Sequence, residues 1–125
     1  MRAREIAKAR KTHPRILRML DELRKASREN NVRIWRDIAE RLERPRRSYA
    51  EVNLSRINRY AREGETIVVA GKVLGAGKLD KRVYVAALGF SRKAYQRITA
   101  LGGRCMSIDD LLKENPKGSG VRIMA

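Results

Sequence analysis

The run "VVAGKVLGAGKLDKRVYVAALGFS", Val68 to Ser91, carries most of the information about fold class. Its ends are apolar and rich in β-branched residues, and its middle sets three glycines and two lysines within eight residues, Gly71 to Lys78. Residues 66–70 are expected to form one strand. Residues 83–88 form a second, apolar on both faces and so buried on both. Ser91 follows at once, and serine oxygens accept the orphan N–H groups of a helix's first turn. Strand, glycine-rich turn, strand and capped helix in that order predict an α/β protein.

Outward from this run the same punctuation recurs. Leu54, Phe90 and Met106 each end an apolar segment and are each followed by serine: Ser55, Ser91 and Ser107. Each serine opens a run of helical character, and all three are expected to be N-caps. Asp110 lies three residues past Ser107, at capping-box-like spacing. Gly64 and Gly102 are expected to stop the first two helices. The intervals of 36 and 16 residues between the serines are too unequal for a tandem array. The tail "NPKGSGVRIMA" reads as a Gly/Ser loop ending in a short strand, residues 121–124. Towards the N-terminus, Pro14 suits a first helical turn capped by Thr12 or His13. Ile16, Met19, Leu20 and Leu23 then line one face of a first helix, which Asn30 and Asn31 break. Ile34, Trp35, Ile38, Ala39 and Leu42 line a second, with Trp35 as a core anchor, and Pro45 ends it.

The glycines and lysines invite a nucleotide-phosphate loop, and the spacing rejects it. Counting back from Gly77-Lys78, the first glycine of that motif falls on Lys72 and its hydroxyl residue on Leu79. The segment also leads into a strand, so no helix N-terminus follows to face a phosphate. The dinucleotide pattern fails at Asp80. His13 is the only histidine and Cys105 the only cysteine, which leaves no metal-ligand set and no base to activate a nucleophile. Asp109 and Asp110 fit a helix's first turn as dipole and capping residues. The expectation is a protein that is not an enzyme, with no catalytic residue, metal or cofactor and no small-molecule substrate.

Charge points elsewhere. Thirty basic residues stand against 14 acidic ones, for +16 on 125 residues, and arginine outnumbers lysine 21 to 9. Such an excess repels itself unless a polyanion neutralises it, and guanidinium is the better fork for phosphates. Hydrophobic content of 42% supports a core. No stretch is long and apolar enough to span a membrane, the first residues lack a signal-peptide core, and no basic helix has a bulky apolar face for a membrane surface. The expected setting is intracellular. Residues 1–11 form a basic arm with Arg2, Arg4, Arg10 and Lys11 as nucleic-acid contacts, and residues 12–125 form a single domain: helices in 14–43, a basic loop in 44–50, and an α/β core in 51–125. The loop offers Arg44, Arg46, Arg47 and Tyr49. A stripe on the first Ser-capped helix offers Arg56, Arg59 and Arg62. The glycine turn offers Gly75 and Gly77, for close backbone approach, with Lys72, Lys78, Lys81 and Arg82 around it. With aromatics at 5% and no finger, zipper or recognition helix, reading of phosphate and shape is expected rather than of base sequence, and folded RNA is the natural partner.

The blocks "ERLERPRRSYAEVNLSRINRYA" (Glu40–Ala61) and "VVAGKVLGAGKLDKRVYVAALGFS" closely resemble the archaeal and eukaryotic large-ribosomal-subunit protein eighteen-e family. The Gly-Lys-Val-Leu-Gly run also looks like the related bacterial large-subunit protein fifteen. Pro14 with its following residues, and "ENPKGSGVRI" (Glu114–Ile123), fit the same family, so the resemblance spans residues 12–125. It implies an irregular core of repeated strand–strand–helix turns with two N-terminal amphipathic helices before it. It also implies a structural protein of the cytoplasmic ribosome, partnered by large-subunit ribosomal RNA and neighbouring large-subunit proteins. The alternative is a free architectural or chaperone-like nucleic-acid-binding protein.

Overall fold

The computed structural model describes residues 14–125. Arg2, Arg4, Arg10 and Lys11, and the expected cap at Thr12 or His13, lie outside the described residues.

Helix α1 (Pro14–Asn30) starts on proline, whose missing N–H is one that the first turn leaves unpaired anyway. Asn31, at φ 52°, breaks the helix, and Ser27 Oγ donates to Val32 O at 2.5 Å across the turn. Helix α2 (Ile34–Glu43) returns alongside it. The apolar stripes read from the sequence all face inward: Ile16, Met19, Leu20 and Leu23 from α1, Trp35, Ile38, Ala39 and Leu42 from α2. Trp35 is fully buried, and its Nε1 donates to Pro116 O at 2.6 Å, fastening the helical pair to the C-terminal loop.

Five strands form one sheet, all paired in parallel: β1 (Ala50–Asn53), β2 (Thr66–Leu74), β3 (Tyr84–Phe90), β4 (Arg104–Ser107) and β5 (Val121–Ile123). The order is β1-β2-β3-β4. β5 shares β1's side of β2, pairing with Thr66–Val68 while β1 pairs with Gly71–Leu74. Three short helices follow strand ends: α3 (Leu54–Tyr60), α4 (Arg92–Ala100) and α5 (Ile108–Glu114). The strand–strand–helix order appears in full as β2-β3-α4, flanked by β1-α3 and β4-α5.

A parallel sheet has to be covered on both faces, and side-chain alternation divides the core accordingly. Val68, Ala70 and Ala86 point to the layer built by α1, α2 and α5. Ile67, Val69, Val85 and Ala87 point to the layer built by α3 and α4. The connection from β2 to β3, residues 75–83, takes a place usually held by a crossover helix. It works as a loop because Leu79 and Val83 bury themselves in that second layer.

Three expectations change. β2 does not stop at Ala70 but continues through Gly71-Lys72-Val73-Leu74, because β1 supplies hydrogen-bonding partners there and a bulge between Val69 and Lys72 absorbs one residue against β3. Ser91 and Ser107 are N-caps, accepting Ala94 N–H and Asp110 N–H at 3.1 Å each, but Ser55 is not. α3 begins at Leu54, one residue before Ser55, and its capping position is Asn53. Ser55 N–H donates to Ala76 O at 3.1 Å, and Asn53 Oδ1 accepts Ala76 N–H at 3.4 Å, so the neighbouring loop satisfies this helix start. Finally, α3 ends at Tyr60, which puts Arg62 and Gly64 beyond it. Gly64 at φ 79° shapes the turn into β2, while Gly102 at φ 82° does terminate α4.

Candidate nucleic-acid interface

Because the strands are parallel, Asn53, Leu74, Phe90 and Ser107 end along one edge of the sheet, where α3, α4 and α5 begin. The glycine loop sits there, between two helix starts. Gly77 has φ 86°, and a Cβ on it would collide with the Ser55 side chain. A Cβ on Gly75 would lie 2.8 Å from Lys93 Cβ and 2.9 Å from Ala94 N. Arg97 of α4 donates to Gly75 O at 3.1 Å and also to Gly77 O. The close approach that these glycines permit is therefore made to the protein's own helices. Within the fold they bring α3 and α4 together.

Around this wedge the basic side chains are exposed. Arg56 and Arg59 project from α3, Lys78 follows Gly77, and Arg92 and Lys93 open α4. Neither α3 nor α4 contains a single carboxylate. Tyr60 is 50% exposed, with the guanidinium carbons of Arg59 and Arg56 at 5.4 Å and 6.0 Å from its ring centre. Tyr95 on α4 is 52% exposed. An exposed ring flanked by guanidinium groups is the surface on which an unstacked base settles. Tyr60, Tyr95, Arg92 and Lys93 join this candidate surface although the sequence reading did not single them out; the available signal was that "LSRINRY" and "RKAYQRITA" are both acid-free.

The four cations expected around one turn are spread along the whole connection. Lys72 is an exposed residue of β2, and Lys78 pairs with Asp80 at 3.4 Å. Lys81 Nζ donates to Asn58 O at 2.6 Å and Ala61 O at 2.9 Å, closing the carboxyl end of α3. Arg82 lies at the opposite edge of the sheet, by Gly64 and Gly102, and its N–H donates to Glu63 Oε2 at 3.0 Å. Arg62 is exposed on that side too. In the basic loop, Arg44, Arg46 and Arg47 are exposed, with Arg46–Ser48 forming one 3₁₀ turn. Tyr49 packs against the core and its hydroxyl donates to Leu42 O at 2.7 Å, so its ring anchors the loop. Arg46 and Lys72 share the rim of an open cleft of about 310 Å³.

Ion pairs are found on the helical hairpin and not on α3 or α4 among the described residues, although Arg18, Arg28 and Arg33 of the hairpin are also exposed without a carboxylate within 4.0 Å. Arg15, Arg24, Lys25 and Arg36 on α1 and α2 pair with Asp109, Glu43, Glu29 and Glu40. Arg46, Arg56, Arg59, Lys72, Arg92 and Lys93 have no carboxylate within 4.0 Å among the described residues. Arg104 is held by a two-pronged pair with Glu114, at 3.0 and 2.7 Å, whose hydrogen bonds and charge raise the guanidinium's already high pKa. Burial pushes the Cys105 thiol up to about 11, away from thiolate chemistry. Among the described residues no group of three or more His, Cys, Asp or Glu is placed to hold a metal, and no helix is long and apolar enough to cross a membrane.

A family model described as ribosomal protein 60S L18 and 50S L18e matches residues 2–125. The large ribosomal subunit protein eL18 of Methanoregula boonei is 60% identical over 114 residues, 91% of this chain and 94% of its own length. Its counterpart in Methanospirillum hungatei is 55% identical over 114 residues, with the same two coverages, 91% and 94%. That of Archaeoglobus fulgidus is 53% identical over 115 residues, 92% of this chain and 98% of its own length.

Proposed function

The chain belongs to the family of ribosomal proteins 60S L18 and 50S L18e, and from that premise we propose that it is a structural constituent of the large ribosomal subunit that binds folded ribosomal RNA through phosphate and shape contacts. One observation carries the RNA-binding part. The glycine loop wedges together two acid-free basic helices, leaving Arg56, Arg59, Arg92 and Lys93 exposed and without carboxylate partners among the described residues. Cations on neighbouring helices at one sheet edge can neutralise phosphates of two close RNA strands at once, which stabilises a compact RNA fold against its own repulsion. Tyr60 adds a stacking surface for an unpaired base. Arg46, Arg47 and Lys72 extend the basic surface beside β1 and β2, and Arg62 and Arg82 extend it at the far edge. Lys81 supports the frame from within. Neighbouring large-subunit proteins complete the surroundings, in the ribosome of the cytoplasm.

The test is binding to a large-subunit ribosomal RNA transcript across a salt series. Replacing Arg56, Arg59 and Lys93 by glutamine leaves the core untouched. Each lost phosphate contact is expected to flatten the dependence of log K on log salt by about one, with affinity falling at every salt concentration. Unchanged affinity and slope in the triple variant would remove this surface from the interface.

A further inference from the structure

Gly89 stands in β3 beside the bulge of β2, yet no contact within the fold requires it to lack a Cβ. It lies within β3, its φ is not in the left-handed region, and a Cβ built on it meets nothing within 4 Å. Glycine inside a strand weakens the strand and marks a bulge or a place where a ligand or another backbone comes close; the bulge here is on β2, and the space over Gly89 is open. Gly71, Gly75 and Gly77 are each explained by internal contacts; Gly89 is not.

The surroundings say what comes close. Across the sheet Gly89 pairs with Lys72, and Lys72 with Glu51, giving the row Glu51–Lys72–Gly89 over about 10 Å, two strand spacings. This row, Leu88 and Arg46 all line the cleft of about 310 Å³. The side chains of Arg46, Glu51 and Lys72 make no hydrogen bond or ion pair among the described residues, although Glu51 and Lys72 are register partners. Two unpaired cations suit a phosphate. A lone carboxylate beside them would repel a phosphate but accepts N–H donors. The open space over Gly89, which has no Cβ, leaves room for a ring. Phosphate, ring and donor edge together make a nucleotide.

We propose that this cleft, resting on the RNA-binding reading above, receives one unstacked nucleotide of the ribosomal RNA. The base lies on Gly89 and Leu88, its phosphate meets Arg46 and Lys72, and Glu51 reads its edge. Guanine is the base expected, because its Watson–Crick edge offers two adjacent donors, N1–H and N2–H, to the two oxygens of one carboxylate. The cleft adds a base-specific contact to an interface otherwise built on phosphate contacts and the stacking surface of Tyr60.

The test uses the full chain, a large-subunit ribosomal RNA transcript and two footprints: hydroxyl radicals for the backbone, and a reagent specific for the guanine Watson–Crick edge. Gly89→Ala and Gly89→Val add bulk where space is open, so melting temperature is expected to hold or rise. Affinity should fall stepwise with size, by roughly tenfold or more for valine, the scale of one lost base contact. Wild-type protein should protect one unpaired guanine, and Gly89→Val and Glu51→Gln should each lose that protection while backbone protection by α3 and α4 persists. If wild type leaves the RNA unprotected everywhere, the RNA-binding reading fails and the cleft falls with it. If wild type protects the RNA and Gly89→Val binds equally well with the same base protection, the cleft proposal alone is wrong. Protection of backbone without any guanine would also overturn it.

Discussion

Gly77 and Gly89 are the same residue type under opposite constraints. At Gly77 the left-handed backbone and the adjacent Ser55 side chain both exclude a Cβ. Gly77→Ala should therefore lower stability by about 1–3 kcal/mol, seen as a drop in melting temperature, and weaken RNA binding only by loosening α3 against α4. A melting temperature equal to wild type would contradict the wedge. Cys105 offers a pH test. Burial disfavours the thiolate, raising the folded pKa from 9.0 to about 11. The folded state's preference for the neutral thiol is intact below pH 9 and is lost as pH rises towards 11. Alkylation of the folded protein should accelerate with a midpoint near 11, and a midpoint below 9 would show the thiol to be exposed. At this scale the sequence was informative about what the chemistry is not: Lys72 and Leu79 occupy positions that a nucleotide loop cannot spare. It was silent on what Gly75 and Gly77 touch, since Ser55 and Lys93 are distant in sequence and meet the loop only through the sheet order.

Among elements, the three serines show where a local pattern suffices and where it does not. Ser91 and Ser107 accept the N–H three residues on, and replacing either by alanine should cost about 1 kcal/mol, within the usual 0.5–2 range for a lost cap. Ser55→Ala should be close to neutral, because its main-chain N–H and not its hydroxyl makes the recorded bond, to Ala76 O. Equal losses at all three sites, measured by denaturant unfolding, would contradict that assignment. The pattern misplaced Ser55 because Asn53 and the glycine loop jointly satisfy the start of α3, a tertiary arrangement that serine frequencies do not encode. Helices α1 and α2 were legible because every apolar position on one stripe meets the same layer, and β3 because Val85, Ala86 and Ala87 are apolar on both faces. The second half of β2 was hidden: Gly71 and Lys72 read as a turn until β1 provides a partner strand.

For the whole molecule, the excess of +16 was legible from composition, and its distribution was not. Ion pairs neutralise part of the helical hairpin, so basic residues that look alike in the chain differ in charge compensation once Glu29, Glu40 and Glu43 find their partners. Among the described residues every cation of α3 and α4, with Arg46 and Lys72 at the cleft beside β1 and β2, lacks a carboxylate partner, while Arg18, Arg28 and Arg33 of the hairpin do too. The proposed function sets that surface against a polyanion, and its helices α3 and α4 contain no carboxylate. A cluster buried against folded RNA should resist salt better than scattered phosphate contacts, which competing ions displace steeply. The most direct measurement is sedimentation of a lysate at low and at moderately high salt, with this protein quantified across the gradient. Co-migration with the large subunit at about one copy each, retained at the higher salt, is the predicted result. Protein at the top of the gradient, or spread over all nucleic acid and washed off by salt, would contradict a ribosomal constituent and leave a free nucleic-acid-coating protein instead.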